Sequence, residues 1–306
     1  MVNLKAAGMQ KTAGRSHLLT LFGGKLMPQY RIRDKIQLTQ TQLKLIAALF
    51  MTSGSIALYG FEAGAVAQNY SVFSALGWVS APIFLYCLLE SLRYTSSRPK
   101  LLLRLYAANI LFSLLRILLN LLAQPLFGFT SVPNAFAALF FIAASITLID
   151  MLCKAIQRKN RKAFLQAGAA IFAVALWCVV EPHIASRIFS ATGNPEAGTN
   201  AVNMLRALLP SLIWLDYTVP LIGFGILWYF IRSRKWQIVA FACFCFVLII
   251  CCIAGVPELR HMRFMVFALP LLLLYNGKRG RGFKYFFYLY YPAHILLIQL
   301  AAGLIS

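Results

Sequence analysis

The stretch W-Q-I-V-A-F-A-C-F-C-F-V-L-I-I-C-C-I-A-G-V, residues 236–256, contains no charged side chain. A helix rises about 1.5 Å per residue, so this run is long enough to cross the roughly 30 Å hydrocarbon core of a bilayer. Arg232, Arg234 and Lys235 stand directly before it. Because basic residues collect at the cytoplasmic ends of spans, the stretch predicts a transmembrane helix that enters from the cytoplasm.

The whole chain has a similar composition. Of its 306 residues, 60% are hydrophobic and 12% are charged, and the mean hydropathy is +0.74. A soluble domain of this size could not cover such an apolar core with so few polar residues. We therefore predict an all-α fold, a polytopic transmembrane helix bundle of about nine spans, with a range of eight to ten. The candidate spans are residues 43–61, 72–92, 101–123, 135–153, 163–181, 211–231, 236–256, 262–275 and 285–304.

Two regions of the predicted bundle are less regular. The eighth run is short and contains Pro270, so we expect a tilted, broken or re-entrant segment there. Residues 182–203 contain several turn formers and predict the longest outer loop, with a short outer helix at 201–210.

The lysines and arginines alternate between the two sides of the predicted bundle. Of these 29 residues, 24 lie before or at the start of the first span, or in and beside the second, fourth, sixth and eighth connections. We therefore predict a cytoplasmic N-terminus, with residues 1–40 as a basic cytoplasmic arm and 41–306 as the membrane domain. The net charge of +21 is then explained by the loops, and we expect no nucleic acid as a partner.

The seven cysteines all lie in apolar runs. None belongs to a C-x-x-C pair, and no histidine stands near them at the spacing of metal ligands. We interpret them as small buried hydrophobic residues and predict no metal site.

The third span contains a polar stripe. Its members recur at steps of four, three and four residues, which places them on one helical face: Asn109, Ser113, Arg116 and Asn120. Lipid offers no polar partner, so the stripe should face protein or water. Arg116 and Asp216 have similar predicted heights in the membrane, and we expect them to pair. The pair is either a structural link between two helices or part of a polar cavity wall.

Two carboxylates stand near the cytoplasmic ends of spans. Glu90 is followed by Arg93 at i+3, and Asp150 is followed by Lys154 at i+4. Both carboxylates can be interpreted as charges at helix ends that pair with a basic residue on the same helix. The alternative interpretation places them at a cytoplasmic entrance.

His294 lies about 14 Å into the last predicted span, nine residues after Tyr285. Tyr290 and Tyr291 share its helical face. A buried imidazole there should be mostly neutral, because desolvation disfavours its charged form. A neutral imidazole can act as a general base. The alternative is a core histidine hydrogen-bonded to a tyrosine.

The loop Y-N-G-K-R-G-R-G precedes this span, at residues 275–282. Its basic side chains and glycine-rich backbone could hold phosphate groups. The alternative is that the loop is basic only because cytoplasmic connections carry an excess of Lys and Arg, and that it contacts anionic lipid.

Three blocks of the sequence resemble the TraX family. They are T-Q-T-Q-L-K-L-I-A-A-L-F-M in the first span, G-W-V-S-A-P-I-F-L-Y-C-L-L-E-S-L-R-Y-T with L-L-L-R-L at 101–105, and Y-N-G-K-R-G followed by K-Y-F-F-Y-L-Y-Y-P-A-H. The blocks occur in the family's order, and the last is the most specific. The resemblance covers about half of the chain.

TraX proteins are inner-membrane acetylases that act on the N-terminal amine of conjugative pilin. The resemblance implies acetyl-CoA as the donor substrate, pilin or another envelope acceptor as the partner, and the bacterial inner membrane as the location. We take His294 and Glu90 as candidate catalytic residues. The candidate residues for substrate and donor binding are Arg116, Asp216, Arg104, Asn276, Lys278, Arg279, Tyr290 and Tyr291.

One departure from the family pattern concerns catalysis. The pattern has an Asp-His pair soon after the methionine of the first span, but this chain has M-T-S-G-S-I, with Gly54 and Ser55 at those positions. Glycine cannot orient a substrate, and serine is not a base near neutral pH. The sequence therefore leaves three functions open: N-acetylation of pilin from acetyl-CoA, a catalytically degenerate assembly factor for pili or fimbriae, and, as the weakest, a transporter.

Overall fold

The computed structural model describes residues 37–59, 67–122, 134–212, 215, 219–256, 259, 261–283 and 285–305. Every named element in these ranges is helical. In chain order they are α1 (Gln40–Tyr59), α2 (Ala67–Tyr94), α3 (Arg98–Leu122), α4 (Ala135–Gln157), α5 (Arg161–Thr192), α6 (Pro195–Leu208), α7 (Val219–Phe230), α8 (Arg234–Ile253), a 3₁₀ helix (Met262–Phe267), α9 (Ala268–Leu274) and α10 (Phe286–Ile305). Residues 1–36 of the predicted basic arm lie outside the described ranges.

The helices confirm the predicted polytopic membrane fold. Among the described residues, six helices are long and apolar enough to cross a membrane: α1, α2, α3, α4, α5 and α8. Three shorter apolar segments accompany them, Val219–Phe230, Met262–Leu274 and Phe286–Ala301. The short segment that contains Pro270 is divided into a 3₁₀ helix and α9. Pro270 lies in the first turn of α9, where a missing backbone N–H removes no intrahelical hydrogen bond.

The prediction of a long outer loop at residues 182–203 is wrong. α5 continues through Pro182 as far as Thr192, and α6 begins at Pro195. Gly193 has φ 61°, the left-handed conformation that commonly ends a helix. The Asn194 side chain then accepts hydrogen bonds from the first turn of α6. The turn formers of this region therefore make a two-residue link between helices instead of a long loop.

α2 is the most buried of the membrane helices. Its side chains at Ile83, Leu85 and Leu92 have no exposed surface, and Leu89 is 1% exposed. α1, α4, α7, α9 and the 3₁₀ helix all pack against it. Of the described helices, α2 supplies the most residues to the wall of the cavity described below, so a large part of that wall belongs to the best-packed helix of the bundle.

α1 and α2 cross at two glycines. A Cβ added at Gly54 would lie 2.8 Å from the Gly77 Cα atom, and one added at Gly77 would lie 2.7 Å from the Gly54 Cα atom. Small residues allow membrane helices to approach this closely and gain backbone packing. The crossing fixes the position of Ser55, the residue after Gly54.

Connections predicted to be cytoplasmic meet at one end of the bundle. Arg93, at the end of α2, donates to the Ile231 carbonyl beyond α7 at 3.0 Å. Arg98, at the start of α3, pairs with Asp150 near the end of α4 at 2.5 Å. Arg234, at the start of α8, donates to carbonyls at the end of α9. These contacts agree with the alternation of charge, because they join basic connections of one predicted side.

Candidate functional site

A cavity of about 960 Å³ is enclosed by α1, α2, α3, α4, α10 and the basic loop before α10. It reaches the basic end of the bundle, where Thr41, Thr95 and Arg279 line it. It extends along α1 as far as Ser55 and Leu58. Ser55 lies fourteen positions after Thr41, which corresponds to about 21 Å along the helix. The cavity is therefore a deep channel between the basic end and the middle of the bundle.

The start of α1 forms one side of the cavity mouth. Thr39 and Gln42 make a capping box, in which the Gln42 Oε1 atom accepts from the Thr39 backbone N–H at 2.8 Å. The Thr39 hydroxyl donates to the same oxygen at 2.9 Å. The sequence T-Q-T-Q therefore begins α1 at a defined residue and orients Thr41 and Lys44, which follow on the cavity side.

The basic loop, residues 276–283, is fastened to this helix start. The backbone N–H groups of Gln40 and Thr41 donate to the carbonyls of Lys278 at 2.9 Å and Arg279 at 3.2 Å. The Thr41 hydroxyl lies 2.6 Å from the Arg281 carbonyl oxygen. Because the loop carbonyls bind α1, the basic side chains of Lys278, Arg279 and Arg281 remain exposed around the mouth.

Gly280 is required where the loop meets α1. Its φ is 75°, and a Cβ there would lie 2.7 Å from the Thr39 Oγ1 atom. A side chain would therefore face both an unfavourable backbone conformation and a collision with the cap of α1.

Three cationic side chains line the mouth: Lys44, Arg104 and Arg279. The Lys44 ammonium group lies 5.8 Å from the centre of the Phe287 ring, and Arg104 donates to the Lys100 carbonyl at 2.9 Å. Arg104 reaches the mouth from α3, whereas Arg279 reaches it from the basic loop. Cations on several sides of one opening can bind an anion with several oxygens.

Two of the predicted binding residues lie beside the cavity and not in its described wall. The Asn276 side-chain oxygen accepts from the Lys278 backbone N–H at 2.9 Å, and the Asn276 N–H donates to the Leu38 carbonyl at 2.9 Å. Asn276 thus shapes the loop. Lys278 is exposed at the same loop.

Ser55 lines the far end of the cavity, and His294 lies directly behind it. The Ser55 Oγ atom lies 3.1 Å from the His294 Nε2 atom, and 3.1 Å from the Met51 carbonyl oxygen. The His294 Nδ1 atom lies 2.9 Å from the Tyr290 carbonyl oxygen. Ser55 lines the cavity, whereas His294 is 6% exposed and lies behind it.

Tyr290 and Tyr291 surround the imidazole as predicted from their spacing. The Tyr290 ring stacks on His294 with centroids 5.1 Å apart and an angle of 12° between the planes. The Tyr290 hydroxyl lies 2.5 Å from the Thr52 hydroxyl oxygen on α1. The Tyr291 hydroxyl accepts from the backbone N–H of Ala135 at 3.2 Å. These contacts hold α10 against α1 and α4 and fix the histidine ring.

Glu90 lines the cavity and is paired. Its Oε1 atom accepts from the Arg93 guanidinium at 3.1 Å, which confirms the predicted i+3 pair. Arg93 also donates to the Trp228, Tyr229 and Ile231 carbonyls. Glu90 is thus both a wall residue and the counter-charge of an arginine that caps α7.

Asp150 does not line the described cavity. It pairs with Arg98 at 2.5 Å and accepts from the Tyr229 hydroxyl at 3.0 Å. Its partners come from α3 and α7, and not from Lys154 on its own helix. The structure supports a structural role that joins three helices.

The polar stripe of α3 faces protein, as predicted, at two of its positions. Asn109 is fully buried and Ser113 is 2% exposed. The Asn134 amide, at the N-cap of α4, donates to both side chains at 2.8 Å. Asn109 in turn donates to the Ala207 carbonyl of α6 at 2.7 Å. This network fastens α3 to α4 and α6.

The predicted pair of Arg116 and Asp216 stays a prediction. Asp216 lies outside the described residues, as does the side chain of Asn120. Arg116 is half-buried on α3 and is not part of the described cavity wall.

Ser55, Thr41 and Lys44 are site residues that were not predicted from the sequence. The T-x-x-Q pattern at residues 39–42 was a signal for the cap, and the break in the family pattern at residue 55 was a signal for that position. Within the described residues, no group of three or more His, Cys, Asp or Glu side chains could hold a metal ion. The site offers cations at its mouth and a serine, a histidine and tyrosines at its far end.

Comparisons with known proteins identify the family of this chain. The family model of the TraX protein matches residues 39–301. A probable fimbrial assembly protein, FimC of serogroup H1 from Dichelobacter nodosus, is 24% identical over 273 residues, which cover 86% of this chain and 95% of that protein. No solved structure gives a significant match. The matched residues include every described residue that lines the cavity, and the chain belongs to the TraX family.

Proposed function

We propose that this membrane protein acetylates the N-terminal amine of pilin, or of a related envelope protein, with acetyl-CoA as the donor. The observation that carries the proposal is a single cavity that runs from three cations at the basic end to Ser55 at depth, with His294 directly behind that serine. Such a cavity suits a long donor with phosphates at one end and a reactive thioester at the other. The protein acts as an enzyme of pilus or fimbrial biogenesis.

The mouth supports the binding of the donor. Lys44, Arg104 and Arg279 surround it, and further basic side chains of the loop are exposed nearby. Phosphate groups bind such clusters through charge-assisted hydrogen bonds. The predicted topology places this end in the cytoplasm, where acetyl-CoA is available, if the protein lies in the bacterial inner membrane. The exposed basic residues would also contact anionic lipid.

The far end supports transfer to an amine. Ser55, His294 and Tyr290 provide hydroxyl and imidazole groups, which can move a proton while an acyl carbon is attacked. No charged side chain of the described residues lines this end of the cavity. A neutral amine can therefore enter without a competing ion pair.

The acceptor is proposed from the relatives. The family resemblance implies pilin as the acceptor, and the D. nodosus relative is a probable fimbrial assembly protein. Pilin is therefore the first acceptor to test.

The proposal is tested in cells and with purified protein. Mass spectrometry should find an acetylated pilin N-terminus in the parent strain and a free amine in a strain that lacks this protein. Purified protein with labelled acetyl-CoA and pilin should place the label on the N-terminal residue. The absence of label on pilin and on every envelope protein offered would overturn the proposal.

A second candidate is a non-enzymatic assembly factor, and the crossing at Gly54 favours it. The position that holds the acidic residue of the family pattern has no room here for a side chain. If this candidate is correct, His294→Ala will leave pilus assembly intact, whereas deletion of the whole protein will abolish it.

A further inference from the structure

We infer that Ser55 and His294 form a nucleophile and base pair that carries the acyl group as an ester on the Ser55 hydroxyl. The inference rests on the proposed function for the identity of the donor, an acyl thioester. It assigns the chemistry to Ser55, one of the two residues that replace the Asp-His pair of the family pattern.

The hydrogen bonds of His294 select its tautomer. A backbone carbonyl can only accept, so the Nδ1 atom, 2.9 Å from the Tyr290 carbonyl oxygen, must carry a proton. In the neutral ring the Nε2 atom is then an acceptor. The Ser55 hydroxyl lies 3.1 Å from this nitrogen and 3.1 Å from the Met51 carbonyl oxygen, so the two acceptors share its single proton. This is the relation of a serine nucleophile to a histidine base, with a third group that orients the ring.

The position of the pair in the cavity assigns the roles. Ser55 lines the cavity, so its oxygen can reach a bound thioester. His294 lies behind it and is 6% exposed. Stacking against Tyr290, with ring centroids 5.1 Å apart, holds the imidazole in place. The oxygen therefore reacts, and the ring transfers the proton.

Neighbouring hydroxyl groups lack this arrangement. The Thr52 hydroxyl lies 2.9 Å from the Ala48 carbonyl and 2.5 Å from the Tyr290 hydroxyl, neither of which is a base. The Ser53 hydroxyl donates to the Phe73 carbonyl at 3.3 Å. Ser80 donates to the Gly77 carbonyl at 2.7 Å. Among these hydroxyls on the crossing helices, Ser55 is the one with an imidazole nitrogen as its partner.

The reaction proceeds in two balanced steps. First, Ser55 Oγ attacks the thioester carbonyl carbon, its proton passes to His294 Nε2, the carbon–sulfur bond breaks, and the thiolate takes that proton to leave as free CoA. Second, the neutral amine of the acceptor attacks the ester carbon and gives a proton to Nε2. The carbon–oxygen bond then breaks, and Ser55 recovers its proton.

The experiment uses a serine-reactive fluorophosphonate probe on the full-length protein in detergent. We expect peptide mass spectrometry to find the probe on Ser55. H294Q should slow this labelling at least about a hundredfold, the usual contribution of a general base. S53A is the matched control, since Ser53 lies on the same helix outside the described cavity wall, and it should leave the rate unchanged. Protein incubated with acetyl-CoA without acceptor and quenched in acid should carry one acetyl ester on Ser55.

The outcomes separate this inference from the proposed function. Acetylation of pilin by wild type and S55A alike would overturn the pair and leave the proposed function standing. Labelling of Ser55 that depends on His294, without acetylation of any pilin, would support the pair and count against the proposed acceptor. Failure to label Ser55 in folded wild-type protein would overturn the inference, even if H294Q does not fold.

Discussion

Gly54 of α1 and Gly77 of α2 are in backbone contact, and a Cβ on either would come within 2.8 Å of the other's Cα atom. The two longest stretches of the cavity wall are supplied by these helices. The glycine pair therefore sets the width of the cavity as well as the packing of the bundle.

Gly77→Ala should destabilise the protein. The added methyl group would lie 2.7 Å from the Gly54 Cα atom, and relief requires the two helices to separate. Overpacking of this kind costs about 1–3 kcal/mol. Thermal unfolding in detergent, followed by loss of monomer on size-exclusion chromatography, measures the effect.

The control for this prediction is Gly168→Ala on α5, where a Cβ meets nothing within 4 Å. This change should be neutral or should stabilise the helix by about 0.5–1 kcal/mol. Gly77→Ala protein that is as stable as Gly168→Ala protein would contradict the close crossing.

Restoring the family pattern with G54D and S55H should not restore the family's chemistry. An Asp side chain at position 54 has no space beside Gly77. The double variant should unfold at a lower temperature than Gly77→Ala, because it adds a carboxylate as well as volume. A stable double variant with more transferase activity than the wild type would show that the crossing adapts.

The sequence was sufficient to predict the class of fold because hydropathy and charge act locally. An uncharged apolar segment such as residues 236–256 is stable only in lipid or in a buried core. The basic residues beside it indicate which end of the helix faces the cytoplasm. Helical spacing also predicted which residues share a face, as for Tyr290, Tyr291 and His294. These are properties of one segment at a time.

Partners on different helices could not be predicted in the same way. Ser55 and His294 are 239 residues apart, and no periodicity relates their helices. The i+4 spacing predicted Lys154 as the partner of Asp150, but Arg98 and Tyr229 are its partners. Such pairs depend on helix order and rotation, which follow from packing contacts such as the glycine crossing.

Arg279→Ala should weaken donor binding without slowing the chemical step. Arg279 lines the cavity mouth, far from Ser55. Loss of one charge-assisted hydrogen bond is worth about 1.5–3 kcal/mol, so KM for acetyl-CoA should rise on the order of tenfold or more while kcat is retained. Lys162→Ala is the control, because Lys162 is an exposed basic residue outside the described wall. Equal KM values for the two variants would remove Arg279 from the donor site.

Glu90→Gln and Arg93→Met should differ in their effects. Arg93 donates to three backbone carbonyls in addition to the Glu90 carboxylate. Its loss therefore leaves the carboxylate and those carbonyls without their donor. Removing one partner of a buried pair typically costs about 3–5 kcal/mol. Glu90→Gln keeps an acceptor oxygen and should cost much less.

The Glu90→Gln variant also tests the catalytic role predicted for Glu90. Transferase activity should persist in Glu90→Gln protein when it is compared at equal folded concentration. A loss of kcat of a hundredfold or more in this variant, with unfolding temperature unchanged, would make Glu90 a catalytic base and displace His294 from that role.

Gly280→Asn should release the basic loop, whereas Gly277→Asn should not. Both glycines have positive φ, 75° and 79°, and asparagine tolerates that conformation better than most residues. A Cβ at 277 meets nothing within 4 Å, but at 280 it lies 2.7 Å from Thr39 Oγ1. The comparison therefore isolates the collision with the cap of α1 from the backbone preference.

Limited trypsin digestion measures this release, since Lys278, Arg279 and Arg281 are cleavage sites within the loop. Displacement of the loop breaks its hydrogen bonds to Gln40 and Thr41, so cleavage of the Gly280→Asn protein should be on the order of tenfold faster. Cleavage of the Gly277→Asn protein should stay close to the wild-type rate. Equal acceleration in both variants would mean that backbone conformation alone, and not the contact with Thr39, holds the loop at the cavity mouth.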